Sequence, residues 1–325
     1  MNLEKLFSAS AIASVAERFP LTYFDIGSRG GFQSDLHPLS FAVNAVGFEP
    51  DPIEYKQLQD NPDGLWKSQQ ILPQGVGVQT GTYTLYIPIV PQSASILKHD
   101  TSIGEKFDKR QFFEVDRTKE IQTLGLADAL LETNLNSIDF LKIDIEGPEL
   151  SIFESSPEVM REILAVKTEV SYIPFRHDQP LAGEIEVFLR RGGFELMEIM
   201  EPAHWRRHGY LIHPYYSLET PPYSKAQIVQ ADYLFFRDPD TINGNISRLL
   251  KLSLISMALG YFDHALMILE RPDVADYVRS EFNYSPKELV VPASKLFGRK
   301  MFYQAAYGQI RGLTPFLRYC RNLWR

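Results

Sequence analysis

The run Ile138-Asp-Phe-Leu-Lys-Ile-Asp-Ile-Glu-Gly-Pro-Glu149 opens with the clearest buried strand of the chain, Ile138–Ile143, and continues into an acid-rich turn. Six apolar-rich residues bounded by a turn have the length and composition of a strand covered on both faces. Gly147 supplies the turn. Pro148 then opens a helix over 148–153 at a first helical position, where the missing N–H of proline costs nothing. A strand that turns directly into a helix is the repeating unit of a parallel sheet with helices on both faces. Ligands of such sheets lie at the carboxyl ends of the strands. Asp144 ends its strand and is therefore expected to face a cleft, with Glu146 beside it. Glu149 is read as a helix-start acid favoured by the macrodipole.

Working outward, the same unit recurs. Leu21–Ile26 is a strand that runs into the glycine-rich turn Asp25-Ile-Gly27-Ser28-Arg29-Gly30-Gly31. Val43–Phe48 is a second, ending at Glu49 within Gly47-Phe-Glu-Pro-Asp51. Further strands are expected around Gln70–Leu72 and at Thr82–Ile87, Leu164–Val170, Phe194–Met200 and Tyr233–Phe236. Helices are expected over 124–132 and 183–191, and an amphipathic helix over 2–18 (an N-terminal element spanning 1–19) is stopped by Pro20. Between Pro88 and Glu120 the pattern dissolves into a polar stretch that includes Ser93-Ala-Ser95. A stretch that long without periodicity is usually functional or mobile, so it is either a lid over an acceptor or a plain surface loop. After Asp240 only helical periodicity remains, over Asn245–Leu269 and Ala293–Leu323. The chain therefore divides into an α/β domain over 1–240 and a helical extension over 241–325.

Composition removes several classes. A formal net charge of −8 does not suit a nucleic-acid partner. The single cysteine, Cys320, excludes an intrachain disulfide framework and a cysteine-rich zinc site. No apolar run reaches the roughly 18 residues of a membrane span, and the N-terminus does not have the form of a signal peptide, so a cytoplasmic protein is expected. The charge is uneven, however. From Lys295 to Arg325 there are seven Lys or Arg and no acid. Such a tail either makes a peripheral contact with an anionic membrane or packs on the main domain with a solvated basic face. Oligomeric state is not legible.

Glycines at a strand-to-helix turn let the backbone approach a ligand closely. Glu49, 18 residues beyond Gly31, ends the neighbouring strand, where an acid accepts hydrogen bonds from ribose hydroxyls. Together they point to a nucleoside site. A dinucleotide fingerprint requires a second glycine where Arg29 stands, and Asp25 would repel a pyrophosphate. S-adenosylmethionine carries an ammonium and a sulfonium and no phosphate, which favours a methyl donor over NAD.

Tyr23–Gly31, Gly47–Pro50, Ser93–Leu97 and Phe140–Glu149, in this order and spacing, resemble the FkbM-type methyltransferase family over about residues 20–200. The Lys142-Ile-Asp-Ile-Glu-Gly-Pro-Glu149 run is the most specific part of the likeness. The resemblance implies a class I methyltransferase Rossmann-like fold with a mainly parallel seven-stranded sheet. It implies S-adenosylmethionine as donor and a hydroxyl of a sugar, glycolipid or polyketide-like molecule as acceptor, as in glycan biosynthesis. It places Asp25, Gly27 and Gly31 at the donor's amino-acid end and Glu49 on its ribose, with Ser28 and Asp51 as further donor contacts in the same turns. Asp144 and Glu146 then face the reaction. The chain departs from the pattern at Thr123-Leu-Gly125, where relatives commonly carry an acid in place of Gly125.

A sugar hydroxyl is a weak nucleophile and needs a general base or a metal. Asp144 is the first choice for positioning or deprotonating it, and His177, in the loop Pro174–Pro180, is a second candidate. Asp144, Glu146 and Glu169 would suit Mg²⁺ if they converged; a metal is not expected. The competing readings are a non-catalytic methyltransferase-fold module in a glycan-assembly complex and an NAD-linked oxidoreductase.

Overall fold

The computed structural model describes residues 3–62, 64–210 and 225–323, those from 309 onward as helix backbone. Among the described residues ten strands are present: β1 (Leu21–Ile26), β2 (Val43–Phe48), β3 (Ser68–Leu72), β4 (Gly75–Gly77), β5 (Gly81–Pro88), β6 (Val115–Gly125), β7 (Phe140–Ile143), β8 (Ala165–Ser171), β9 (Phe194–Trp205) and β10 (Gln227–Arg237). Seven of them form one sheet in the order β3-β2-β1-β7-β8-β10-β9. The first five of that order are parallel, and β10 runs antiparallel to both β8 and β9. The seven-stranded, mainly parallel sheet expected from the resemblance is thus present. Its strand order reverses between β1 and β7, the point where such sheets bind ligands.

The remaining strands form a small second sheet in the order β4-β6-β5. This revises the reading of the middle of the chain. Thr82–Ile87 is a strand, but it lies in the small sheet. The stretch after Pro88 is ordered into the helix Thr101–Phe107 and the long strand β6. The helix expected from Leu124 begins at Leu126, because β6 continues to Gly125. β6 escapes a periodicity reading because most of its residues are charged or polar, with one side of the strand in water. The N-terminal helix is two helices, Leu3–Ser8 and Ala11–Arg18, divided where the Ser10 side chain accepts the Ile12 N–H.

Residues alternate between the two faces of the central strands. One face presents Phe24, Ile26, Leu141, Ile143, Val166 and Phe235 to a core closed by the helices between the later strands. The other presents Tyr23, Phe140, Ala165, Leu234 and Phe236. The crossover from β1 to β2 carries only the 3₁₀ stretch Ser34–Ala42, too short to cover that face by itself. The helices Ile246–Ala258, Phe262–Leu269 and Pro272–Phe282 supply the cover, burying Leu249, Leu252, Ile255, Phe262 and Ile268 in the same core as Tyr23 and Phe140. Lys251 fixes the register, donating to Asp139 at 2.9 Å while Asp139 also accepts the Thr22 N–H at 2.8 Å. The region after Asp240 is helical, as expected, and shares one core with the sheet. The boundary drawn after residue 240 marks a change of secondary structure within that core.

Among the described residues no helix is long and apolar enough to cross a membrane.

Leu252 is fully buried beneath the sheet, so Leu252→Ala is expected to lower unfolding free energy by about 2–5 kcal/mol in urea titration. A chain ending at residue 240 should be insoluble; if it unfolded cooperatively at the wild-type midpoint, the helices would not be completing the core.

Candidate active site

The carboxyl ends of β1 and β7 are joined by charge. Asp25 on β1 and Lys142 on β7 are register partners, and Lys142 Nζ lies 3.1 Å from Asp25 Oδ1 with both side chains buried. The same ammonium donates to the Gly27 carbonyl at 3.1 Å and lies 3.7 Å from Asp144 Oδ2. The other Asp25 oxygen accepts from the Tyr23 hydroxyl at 3.0 Å and the Gln33 N–H at 3.1 Å. Burial pushes the Asp25 carboxyl up, and Lys142 opposes this. For Lys142 burial works against the charge, yet Asp25 and Asp144 hold its pKa above the ordinary value.

The turn after β1 is shaped by this anchoring. Gly27 has φ +86°, and a Cβ there would collide with the Asp144 carbonyl, so the close passage of the two loops requires glycine. Gly31, at φ +111°, faces open space. Ser28 is buried beneath the turn, where its Oγ accepts the Phe48 N–H at 2.8 Å and stitches the turn to the end of β2. Glu49 follows β2 and is buried, with one oxygen accepting the Asp51 N–H at 2.8 Å. Burial raises the Glu49 pKa; the Asp51 N–H and the charge of Arg29 oppose it. At Asp51 burial also favours the neutral acid, but the N–H groups of Ile53 and Glu54 and the charge of Lys119 hold its pKa low. Asp51 thereby caps the helix Pro52–Asp60.

On the other side stand the acids after β7. Glu146 adopts φ +67°, and its carboxylate meets Arg176 at 2.6 Å. Burial raises its pKa, Arg176 opposes that rise, and the Glu169 carboxyl hydrogen-bonds to it. Burial first, and then the charges of Glu146 and Asp144, push the Glu169 carboxyl well above the usual carboxylate range. Glu149 points into the turn, accepting the N–H groups of Ile145 and Gly147, each at 3.1 Å, and burial lifts its pKa to about 7. It closes the turn and does not line the cleft.

Between these walls lies a cleft of about 620 Å³. Gly27, Gly31, Glu49 and Asp51 line it together with Asp144, Glu146 and Glu169, and the glycine turn passes directly beside the Asp144 carbonyl. The small sheet roofs it with Leu85, Ile87 and Ile121. Asp25 and Ser28, expected as donor contacts, are not in the lining; both hold the turn from beneath. His177 is exposed, its N–H bound to the Lys98 carbonyl, and it does not line the cleft. Neither Gly125 nor Asp128 lines it, so the departure from the family pattern falls outside the site. Ser93–Ser95 is a fixed wall: the Ser95 hydroxyl donates to the Glu146 carbonyl at 2.7 Å, and Arg176 donates to the Ser93 carbonyl at 3.0 Å. Among the described residues, no three of His, Cys, Asp and Glu gather as metal ligands. Sequence reasoning gives no role to Lys142 or Arg176. A lysine flanked by Leu141 and Ile143 in a strand buried on both faces is the available signal for Lys142.

The strand order, the switch-point cleft, the glycine turn and the acid after β2 are those of the class I methyltransferase Rossmann-like fold. The model of the methyltransferase FkbM domain matches residues 28–196, more than half of the chain, and the chain belongs to that family. No curated protein matches it. Similar solved structures include magnesium protoporphyrin IX methyltransferase (ChlM) from Synechocystis PCC 6803 with bound SAM. It is 10% identical at TM-score 0.33, over 73% of this chain and 79% of that one. Another is precorrin-6y C5,15-methyltransferase from Geobacter metallireducens GS-15, 10% identical at TM-score 0.31, over 69% and 87% of the two chains. A third is the 23S rRNA methyltransferase ErmE, 10% identical at TM-score 0.29, over 87% and 95%.

An acid whose pKa is higher in the folded than in the unfolded state destabilises the fold as pH rises between the two values. For Glu149 that window runs from the ordinary 4.5 to about 7. Glu149→Gln keeps an oxygen for the same two N–H groups. It should match wild type in chemical denaturation at about pH 4, below both values, and exceed it at about pH 8.

Proposed function

We propose that the chain is an S-adenosylmethionine-dependent methyltransferase that methylates a hydroxyl of a sugar, glycolipid or polyketide-like acceptor. The observation that carries this reading is one cleft lined both by the glycine turn and Glu49, which suit a nucleoside, and by the carboxylates Asp144, Glu146 and Glu169. Arg29 fills the position of a second dinucleotide glycine. Its guanidinium donates to the Pro91 carbonyl at 3.2 Å and to Glu54 at 3.1 Å, which leaves little room there for a pyrophosphate.

The residues present fit the donor. Glu49, half-satisfied by the Asp51 N–H, has acceptor capacity for ribose hydroxyls. Gly27, Gly30 and Gly31 let the backbone come close to the amino-acid end. When bound, the donor supplies an electrophilic methyl group on its sulfonium. Asp144 is partly exposed at the mouth and is steadied by Lys142, so it can orient an acceptor hydroxyl and accept its proton as oxygen attacks. Glu146, tied to Arg176, and Glu169 beside it contribute hydrogen bonds to a polyol. The acid-rich, partly solvated part of the cleft suits an acceptor that donates several hydroxyls.

Calorimetric titration with S-adenosylmethionine and with its demethylated product, beside NAD, tests the reading. Binding of the first two is expected, weakened at least roughly tenfold by Glu49→Ala, which removes hydrogen bonds to a charged acceptor. Because the Glu49 pKa is raised and the carboxylate is the form that accepts from ribose, affinity should begin to fall at a higher pH than for an ordinary Glu as the solution is acidified. Asp144→Asn should keep donor affinity while methyl transfer from labelled donor to hydroxyl-bearing glycans drops by at least about a hundredfold. No donor binding by folded protein would refute the proposal.

A further inference from the structure

The helix Pro286–Leu323 begins on the body of the molecule and then leaves it. Leu289, Val290 and Ala293 are buried in the core beneath the sheet, and Phe297 packs edge-on against Phe262 with ring centroids 5.4 Å apart. From Gly298 to Gly308 every residue is exposed, including Met301, Phe302 at 69% and Tyr303 at 71%. A projecting helix that displays large apolar and aromatic side chains in water marks a surface meant to be covered.

Charge identifies the cover. Arg299 and Lys300 sit directly before the exposed aromatics. The segment from Lys295 to Arg325 carries seven basic residues and no acid, on a chain whose net charge is −8. In the sequence, Ile310, Leu313 and Leu317 continue a helical apolar spacing, with Arg311 among them and Arg318 and Arg321 following. A second copy of the chain would bring two acid-free basic helices together, which like charges oppose. Aromatic residues interleaved with Lys and Arg suit the interface of an anionic bilayer, where rings lie at headgroup depth and cations meet lipid phosphates. We propose that this projecting helix docks the protein on an anionic lipid surface, lying in the interface rather than crossing it. The inference does not depend on the methyltransferase reading.

Flotation of the full chain with vesicles tests it, comparing phosphatidylcholine alone with phosphatidylcholine mixed with phosphatidylglycerol. The protein is expected to float with the anionic vesicles only, and less at high salt. The Arg299→Glu/Lys300→Glu double variant should lose at least roughly tenfold in partitioning, since each charge near the surface is worth several-fold. Phe302→Ser/Tyr303→Ser should also bind more weakly. Both pairs lie off the core, so circular dichroism and donor titration should match wild type. Failure to float with anionic vesicles overturns the proposal, as does binding that ignores the charge reversal. Concentration-dependent dimerisation in the ultracentrifuge that Phe302→Ser/Tyr303→Ser abolishes, without vesicle binding, overturns it in favour of a second copy.

Discussion

The buried ion pair between Asp25 and Lys142 is the constraint on which the cleft depends. Two charges withdrawn from water must face each other with their remaining valences filled, since removing either partner leaves an uncompensated buried charge at a cost of about 3–5 kcal/mol. The pair spans β1 and β7, the strands on either side of the order reversal, so it holds the two loops of the site at a fixed separation. Its remaining contacts reach Gly27 on one side and Asp144 on the other. One ammonium thereby positions the glycine turn and the mouth acid together. A single neutral substitution there would disturb the glycine turn and Asp144 together.

The acids beyond that pair divide into two kinds of work. Glu149 turns inward, giving an oxygen to backbone N–H groups of its own loop, and Asp51 caps its helix with one oxygen while also lining the cleft. Glu49, Asp144, Glu146 and Glu169 face the cleft. The left-handed backbone at Glu146 is stabilised from three directions, by Arg176 on its carboxylate, by Ser95 on its carbonyl and by the glycine after it. Strain of this kind persists only where the surroundings over-determine it, and here they aim the carboxylate at Arg176 and Glu169.

Much of this is legible in the amino-acid sequence. Strands buried on both faces announce themselves as short apolar runs, and β1, β2, β7 and β8 lie within a residue or so of those runs at most of their ends. The glycine turn and Glu49 are legible as a turn and an acid at the ends of adjacent strands, and both line the cleft. The small sheet is not, since β6 is dominated by polar and charged residues and pairs with β4 and β5 without any apolar alternation strong enough to show. Asp25 and Ser28 depart from expectation for a different reason. Sequence order says that a residue lies in a loop, but not whether its side chain points toward the ligand or back under the turn. His177 illustrates the same limit from the other side, a titratable residue after the right strand whose side chain ends in solvent.

The helices over 246–282 cover a face of the sheet whose own crossover is too short to do so. During synthesis, Tyr23 and Phe140 emerge from the ribosome long before Leu249, Leu252 and Phe262, and the nascent sheet carries an uncovered apolar face for most of translation. Contacts between the two ends of a chain are slow to form because loop closure precedes any gain from burial. The fold is therefore committed only once the helices over 246–282 have been made, rather than domain by domain. An unfinished chain stalled before residue 246 presents the surface that chaperones and proteases recognise.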